Sequence, residues 1–232
     1  TNVDANDVIT FTTNDTSVDA SDLVALAVKV DTLGVNSVTT ITEAYNTASV
    51  ATVVTNALNI TGNTELVSIT GGSILATDVN TILGATSGNV TAIVTADTAA
   101  ALNTALTNAT TGTDALTLTI NDTSLTSVSD LLALDGKTNV AVNASSVNSI
   151  TDTYTNLNLA YNAGIAGTIS GLGNEAVTIS DTTSAANVNT IAGRTSGILT
   201  ATITTGAVTS TLAAITNVDA NDVITFTTND TS

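Results

Sequence analysis

Across 232 residues the chain carries 3 basic and 20 acidic side chains, for a net charge of -17, and it has no His, Cys, Met, Trp or Pro. Without His and Cys there is no imidazole base, thiolate nucleophile, disulfide or usual zinc site, and so few cations cannot build a surface that tracks phosphates; neither enzyme activity nor nucleic-acid binding is expected. Apolar residues make up 43 % of the chain but aromatics only 2 %, and no apolar run is long enough to span a bilayer.

Residues 1–17, TNVDANDVITFTTNDTS, recur letter for letter at 216–232. Residues 1–215 therefore read as one long period, and 216–232 as the start of the next, identical one. Within the period four diverged units are expected, at 7–64, 65–114, 115–174 and 175–221, opening on Asp7, Glu65, Ala115 and Glu175.

The first unit begins with alternation at Ile9 and Phe11, a half-buried strand. A helix is expected after an N-cap at Ser17, with the pattern Asp22, Leu23, Leu26, whose two leucines make its apolar stripe, and Val28 where other units carry glycine. The loop at Gly62 and Asn63 closes it. In the second unit Val67 and Ile69 form the strand, Ser73 the cap, Val79 and Ile82 after Asp78 the stripe and Gly84 the C-cap, followed by a strand over 89–95 and a helix over 99–109. The third repeats the plan with Leu116, Leu118 and Ile120, then Ser124, then Asp130, Leu131 and Leu134, then Gly136, and a glycine-rich loop at 171–174. The fourth has Val177 and Ile179, Thr182, Asn187, Val188 and Ile191, Gly193, a strand over 199–204 and a helix over 208–215.

The resulting expectation is a right-handed α/β solenoid of stacked parallel strands and short helices, with an all-β parallel solenoid as the alternative. A single strand-helix coil cannot bury its own apolar face, whereas neighbours above and below close a continuous core; Thr and Asn at equivalent positions would hydrogen-bond along the stack.

Charge recurs by position as well. Lys29, Lys137 and Arg194 each stand three residues after the last stripe residue, where a cation complements a helix C-terminus; a row binding an anionic surface is the competing reading. Asp7, Glu65 and Glu175 precede the first strand, with Asp114 one place away, and Asp15, Asp122 and Asp181 follow it. Stacked, the last three would form a row able to hold Ca²⁺, since oxygen-only sites are the one metal chemistry this composition allows; the competing reading is a solvated acidic edge that keeps a long protein soluble.

The stretches GLGNEAVTISDTT at 171–183, NVNTIAGRTSG at 187–197 and SDLLALDGKTNVAVNASSV at 129–147 resemble the repeats of giant secreted Thr- and Ala-rich tandem-repeat proteins, adhesin- or fibre-like, of marine cyanobacteria and other marine bacteria. The resemblance implies an extracellular or cell-surface repeat protein and no activity. The expected function is mechanical: a filament, stalk or surface spacer whose partner is itself, by end-to-end stacking of coils in a tandem array. The alternative is an adhesive module capturing glycan or protein at a cell surface, and a lesser one an ice- or mineral-binding surface. Tyr45, Tyr154, Tyr161, Phe11 and Phe226 are too scattered to form an aromatic platform.

Overall fold

A computed structural model describes residues 8–45, 49–110 and 112–230; Asp7 and the outermost residues of the two identical segments lie outside them. The chain divides into two compact units, Thr1–Thr95 with Thr104–Leu118 and Lys137–Val140, and Ala96–Asn103 with Thr119–Gly136 and Ala141–Ser232.

The first unit contains β1 (Thr10–Thr12), β2 (Ser17–Asp19), α1 (Ala20–Ala27), β3 (Thr32–Gly34), β4 (Thr40–Ala44), α2 (Val50–Thr61), β5 (Leu66–Ile74), α3 (Ala76–Ala85) and β6 (Val90–Val94), and, after α4 (Ala99–Ala105), whose residues fall in both units, β7 (Ala115–Thr117). Its main sheet runs β2-β4-β5-β6-β7, and β1 pairs with β3. Every one of these pairings is parallel. Register follows the alternation in the sequence: Val18 lies beside Ile41, Ile41 beside Val67, and Val67 beside Val90, an apolar column down one face. A slip of one residue would turn that column to water.

The second unit contains β8 (Ser124–Leu125), α5 (Ser129–Asp135), β9 (Val142–Asn143), β10 (Ser149–Asp152), α6 (Tyr154–Ala166), β11 (Ile169–Ser170), β12 (Ala176–Thr183), α7 (Ala185–Ala192), β13 (Leu199–Gly206), α8 (Val208–Ala214) and β14 (Val223–Thr228). Its main sheet runs β14-β13-β12-β10-β8, again all parallel, with β9 and β11 paired beside it. The same kind of column appears, Leu125 beside Ile150 beside Val177 beside Leu199, all buried. Parallel strands need crossovers, and the helices supply them. Successive helices pack on each other, α1 on α2 and α2 on α3 in the first unit, α5 on α6, α6 on α7 and α7 on α8 in the second. The eight helices among the described residues exclude the all-β alternative.

The stripe residues behave as their spacing predicts: Val79, Ile82, Leu131, Leu134, Val188 and Ile191 are fully buried, each contributing about 1.5–3 kcal/mol. In the first unit Leu23 is buried and Leu26 only half-buried. The strands predicted over 89–95 and 199–204 and the helices over 99–109 and 208–215 are β6, β13, α4 and α8, the helices shorter than expected.

Helix boundaries differ from the sequence expectation in two ways. Ser17, Ser73, Ser124 and Thr182 are strand residues, and the N-caps stand two to four positions later, at Asp19, Leu75, Val128 and Ser184. The strand continues through the small polar residue, because its backbone is already committed to the ladder. The glycine C-caps expected at Gly136 and Gly193 are found, on α5 and α7, but the one expected at Gly84 is not. The left-handed C-caps are Gly62 (φ 112°) on α2 and Gly167 (φ 81°) on α6, a conformation that favours glycine. Gly84 lies inside α3, and Gly193 caps α7 with φ -78°. A Cβ at either would stand 2.7 Å from an asparagine Nδ2, of Asn108 and Asn217 respectively. Those asparagines form the polar ladder: the Asn108 backbone N–H donates to Asn80 Oδ1 (2.7 Å) and its Nδ2 to the Asn80 carbonyl (2.9 Å), while Asn217 does the same to Asn189 at 2.6 and 3.1 Å.

Candidate functional site

The organised polar chemistry of this chain is a set of carboxylates, each reaching back to the backbone of the turn before it. Asp122 Oδ2 accepts from Ala99 N–H at the start of α4 (2.7 Å), and Asp181 Oδ1 from Tyr154 N–H at the start of α6 (2.7 Å). Asp230 Oδ2 accepts from Val208 N–H at the start of α8 (2.9 Å), Glu43 Oε2 from Ser21 N–H in α1 (3.0 Å), and Asp152 Oδ2 from the N-cap Val128 N–H of α5 (2.9 Å). The separations run from 22 to 27 residues. The first N–H groups of a helix have no partner within it and carry the positive end of its dipole, so an anion there satisfies both. Strand starts are sealed likewise, Ile9 N–H by Asp31, Val90 N–H by Asp114 and Leu199 N–H by Asp222, all at 2.8 Å.

This arrangement locates the sequence-predicted calcium candidates. Asp15, Asp122 and Asp181 all lie at the bend between two strand segments: between β1 and β2, between β7 and β8, and at the register shift within β12. Such a bulge re-aims a side chain. Asp122 and Asp181 turn to helix N-termini; Asp15 Oδ2 instead accepts from its own Thr13 Oγ1 (2.9 Å). Asp230 is the residue that repeats Asp15 in the second copy of the segment. Among the described residues no group of three or more acidic side chains is placed to hold a metal ion.

Of the acids expected before the first strands, the three described ones are not a solvated edge. Glu65, Asp114 and Glu175 are 4, 5 and 1 % exposed, and each is hydrogen-bonded. Glu65 Oε2 takes Thr64 N–H (2.9 Å); Glu175 Oε2 takes Gly173 and Asn174 N–H (2.8 and 3.0 Å), and its Oε1 takes the Tyr161 hydroxyl. Burial, and then Glu175, push the Tyr161 hydroxyl far above its ordinary range. Glu43 and Asp152 were not singled out from the sequence. The signal that finds them is an acid 22 to 24 residues beyond a helix start, visible only once the coil length is known.

The three cations stand where expected, each second after the last residue of its helix, α1, α5 and α7. Lys137 Nζ donates to the Leu106 carbonyl just past α4 (2.8 Å). Arg194 borders a cavity of about 320 Å³, shared with Tyr161, Ile165, Ile169 and Leu172, and its Nη1 is buried without a hydrogen-bond partner.

The ends of the chain use one sequence in two ways. In the first copy, β1 pairs with the strand that follows it, Thr10 to Thr32, Phe11 to Leu33 and Thr12 to Gly34. In the second, β14 pairs with the strand that precedes it, Thr202 to Thr225 and Ile203 to Phe226. The Ile9 carbonyl and Thr13 N–H face β3, while Asn229 N–H faces β13. Backbone groups alternate along a strand, so the two copies use opposite edges. No protein-family model, curated protein or solved structure matches this chain. Among the described residues no helix is long and apolar enough to cross a membrane.

Proposed function

We propose that this chain is one period, with the start of the next, of a tandem-repeat structural protein: an α/β solenoid whose coils rest on one another to form an extracellular filament, stalk or giant surface protein acting as a mechanical spacer. The observation that carries the reading is the opposite pairing of the identical segments. A strand with a known partner on each edge, one seen in each copy, is an interior strand of a continuous ladder. Merging the copies joins the last coil of one period to the first coil of the next, and stability then accumulates along one axis.

The back-reaching carboxylates support it, because each stabilises a turn by a side chain that only the next turn supplies. Each of the four units holds about two strand-helix coils, and at about 4.8 Å per strand these advance roughly 40 Å per period. The net charge of -17 keeps such threads apart and soluble. The function needs no catalytic group. Electron microscopy of a chain carrying several consecutive periods tests it: a uniform thread lengthening by roughly 40 Å per period supports the solenoid, and a string of compact beads removes it. The extracellular assignment is tested separately, by where the parent protein accumulates.

The adhesive reading draws on the Arg194 cavity, where a carboxylate of an acidic glycan would find an unsatisfied guanidinium nitrogen. Titration with uronic-acid oligosaccharides, against Arg194→Ala, tests it.

A further inference from the structure

Resting on that reading, we infer that the junction between periods has a built helix seat: α8 of one copy docks on α1 of the next, with Asp15 as its N-terminal anchor. Four observations converge on this seat. First, α8 packs on α7 with one side and leaves Val208 49 % and Leu212 68 % exposed on a helix of 7 residues. Second, α1 has a following neighbour in α2, and beside it lies a cavity of about 250 Å³ lined by Phe11, Asp15, Val18, Leu23 and Leu26, with Phe11 43 % exposed. Third, the second copy of Asp15, Asp230, is already bound to Val208 N–H, the first residue of α8. Fourth, the second copy of Phe11, Phe226, already pairs with Ile203, and its ring lies 3.9 Å from where a Cβ on Gly206 would stand. Asp230 and Phe226 thus have their partner in the β13–α8 coil, and on the solenoid reading Asp15 and Phe11 take the same coil from another period.

The occupant is a second copy of residues 199–214, seated as its equivalent is seated against β14. Continuing the chain past 232 with the residues that follow position 17 adds α1, and α1 brings the apolar cavity to the exposed face of α8. Leu212 and Val208 face water until that helix arrives. The carboxylate at position 15 orients the seat by holding the helix N-terminus, and the apolar pair closes it.

The test compares the 232-residue chain with one carrying two consecutive periods that share residues 216–232, each with and without Leu212→Asp in the first period. Amide exchange is read on α8. The seat predicts at least roughly tenfold slower exchange of α8 in the two-period chain, a gain that Leu212→Asp abolishes, while the same substitution leaves the single-period chain unchanged. Equal exchange in the two chains overturns the seat. If the longer chain still forms a regular thread by microscopy, only the helix contact is wrong; if its periods behave as independent beads, the spacer reading falls too.

Discussion

Glu43 in the first unit and Asp152 in the second perform the same task and end with opposite electrostatics. Each accepts a backbone N–H from the start of the preceding helix, Ser21 of α1 and Val128 at the cap of α5. Burial, and then the neighbouring Asp19, push the Glu43 carboxyl up, against the hydrogen bonds from Ser21 and Ala44 N–H. Burial works to raise Asp152 as well, but hydrogen bonds from Val128, Asn156, Thr153 and Ser127 outweigh it and hold that carboxyl low. The difference lies in what surrounds the capped end. Asp19, the local cap of α1, already serves Ser21 and Asp22 N–H (3.0 and 3.2 Å), so Glu43 arrives as a second anion at an occupied site. Val128 offers no side-chain cap, and Asp152 accepts from its N–H with no local cap carboxylate beside it among the described residues.

The largest expected effect follows from that. Asp152→Ala strips partners from Val128 N–H, Thr153 N–H, Asn156 Nδ2 and the Ser127 hydroxyl at once, and a buried donor left unpaired costs about 1–3 kcal/mol. Denaturant unfolding is expected to show a loss of about 3 kcal/mol, with amide protection falling in α5 first. Glu43→Gln keeps the length and an acceptor oxygen while removing a charge beside Asp19, so stability at neutral pH is expected to hold or rise, by up to about 1 kcal/mol. A loss as large as that at Asp152 would mean the two carboxylates are equivalent after all.

The pH dependence separates them by sign. Asp152 is held below its unfolded value of 3.8, so its contribution is complete above that value and is lost as pH falls through the lower folded one. Glu43 is raised above 4.5; its contribution is complete below that value and is lost as pH rises through the higher folded one. Acidification from neutral to about pH 4.5 is therefore expected to steady α1 against exchange while leaving α5 unchanged, and further acidification to loosen α5. Amide exchange resolved by helix checks both windows, and α1 loosening with α5 across the first window would contradict the assignment.

How much of this was legible beforehand depended on range. The alternation of Leu116, Leu118 and Ile120 and the Leu131 to Leu134 spacing carried their own periods, and all five side chains are buried. The calcium candidates Asp15, Asp122 and Asp181 were recognisable as one recurring position, yet the partners of Asp122 and Asp181 lie 23 and 27 residues back. No local pattern announces a helix end sealed from the next turn, as α1 is by Glu43 and α5 by Asp152, while the local caps Asp19 and Ser184 stand two residues beyond Ser17 and Thr182, which the ladder keeps in strand. Gly193 caps α7 as its position predicts, but what excludes a Cβ there, and at Gly84 inside α3, is an asparagine from the following turn.

The smallest effect is the sharpest test of why Glu43 differs. Asp22 is exposed and is the last of the influences raising Glu43, after burial and Asp19. Asp22→Asn removes that charge and leaves the Asp19 cap intact, but it also removes an anion from the first turn of α1, worth about 0.3 kcal/mol to the helix dipole. In the parent chain the two effects are expected to cancel nearly, because relief of Glu43 offsets the lost dipole interaction. In the Glu43→Gln background there is no carboxylate to relieve, and the dipole loss should stand alone. A double-mutant cycle is thus expected to return a coupling of a few tenths of a kcal/mol with the sign of repulsion; a cycle that closes to zero would place the cause of the raised carboxyl in burial and Asp19 alone.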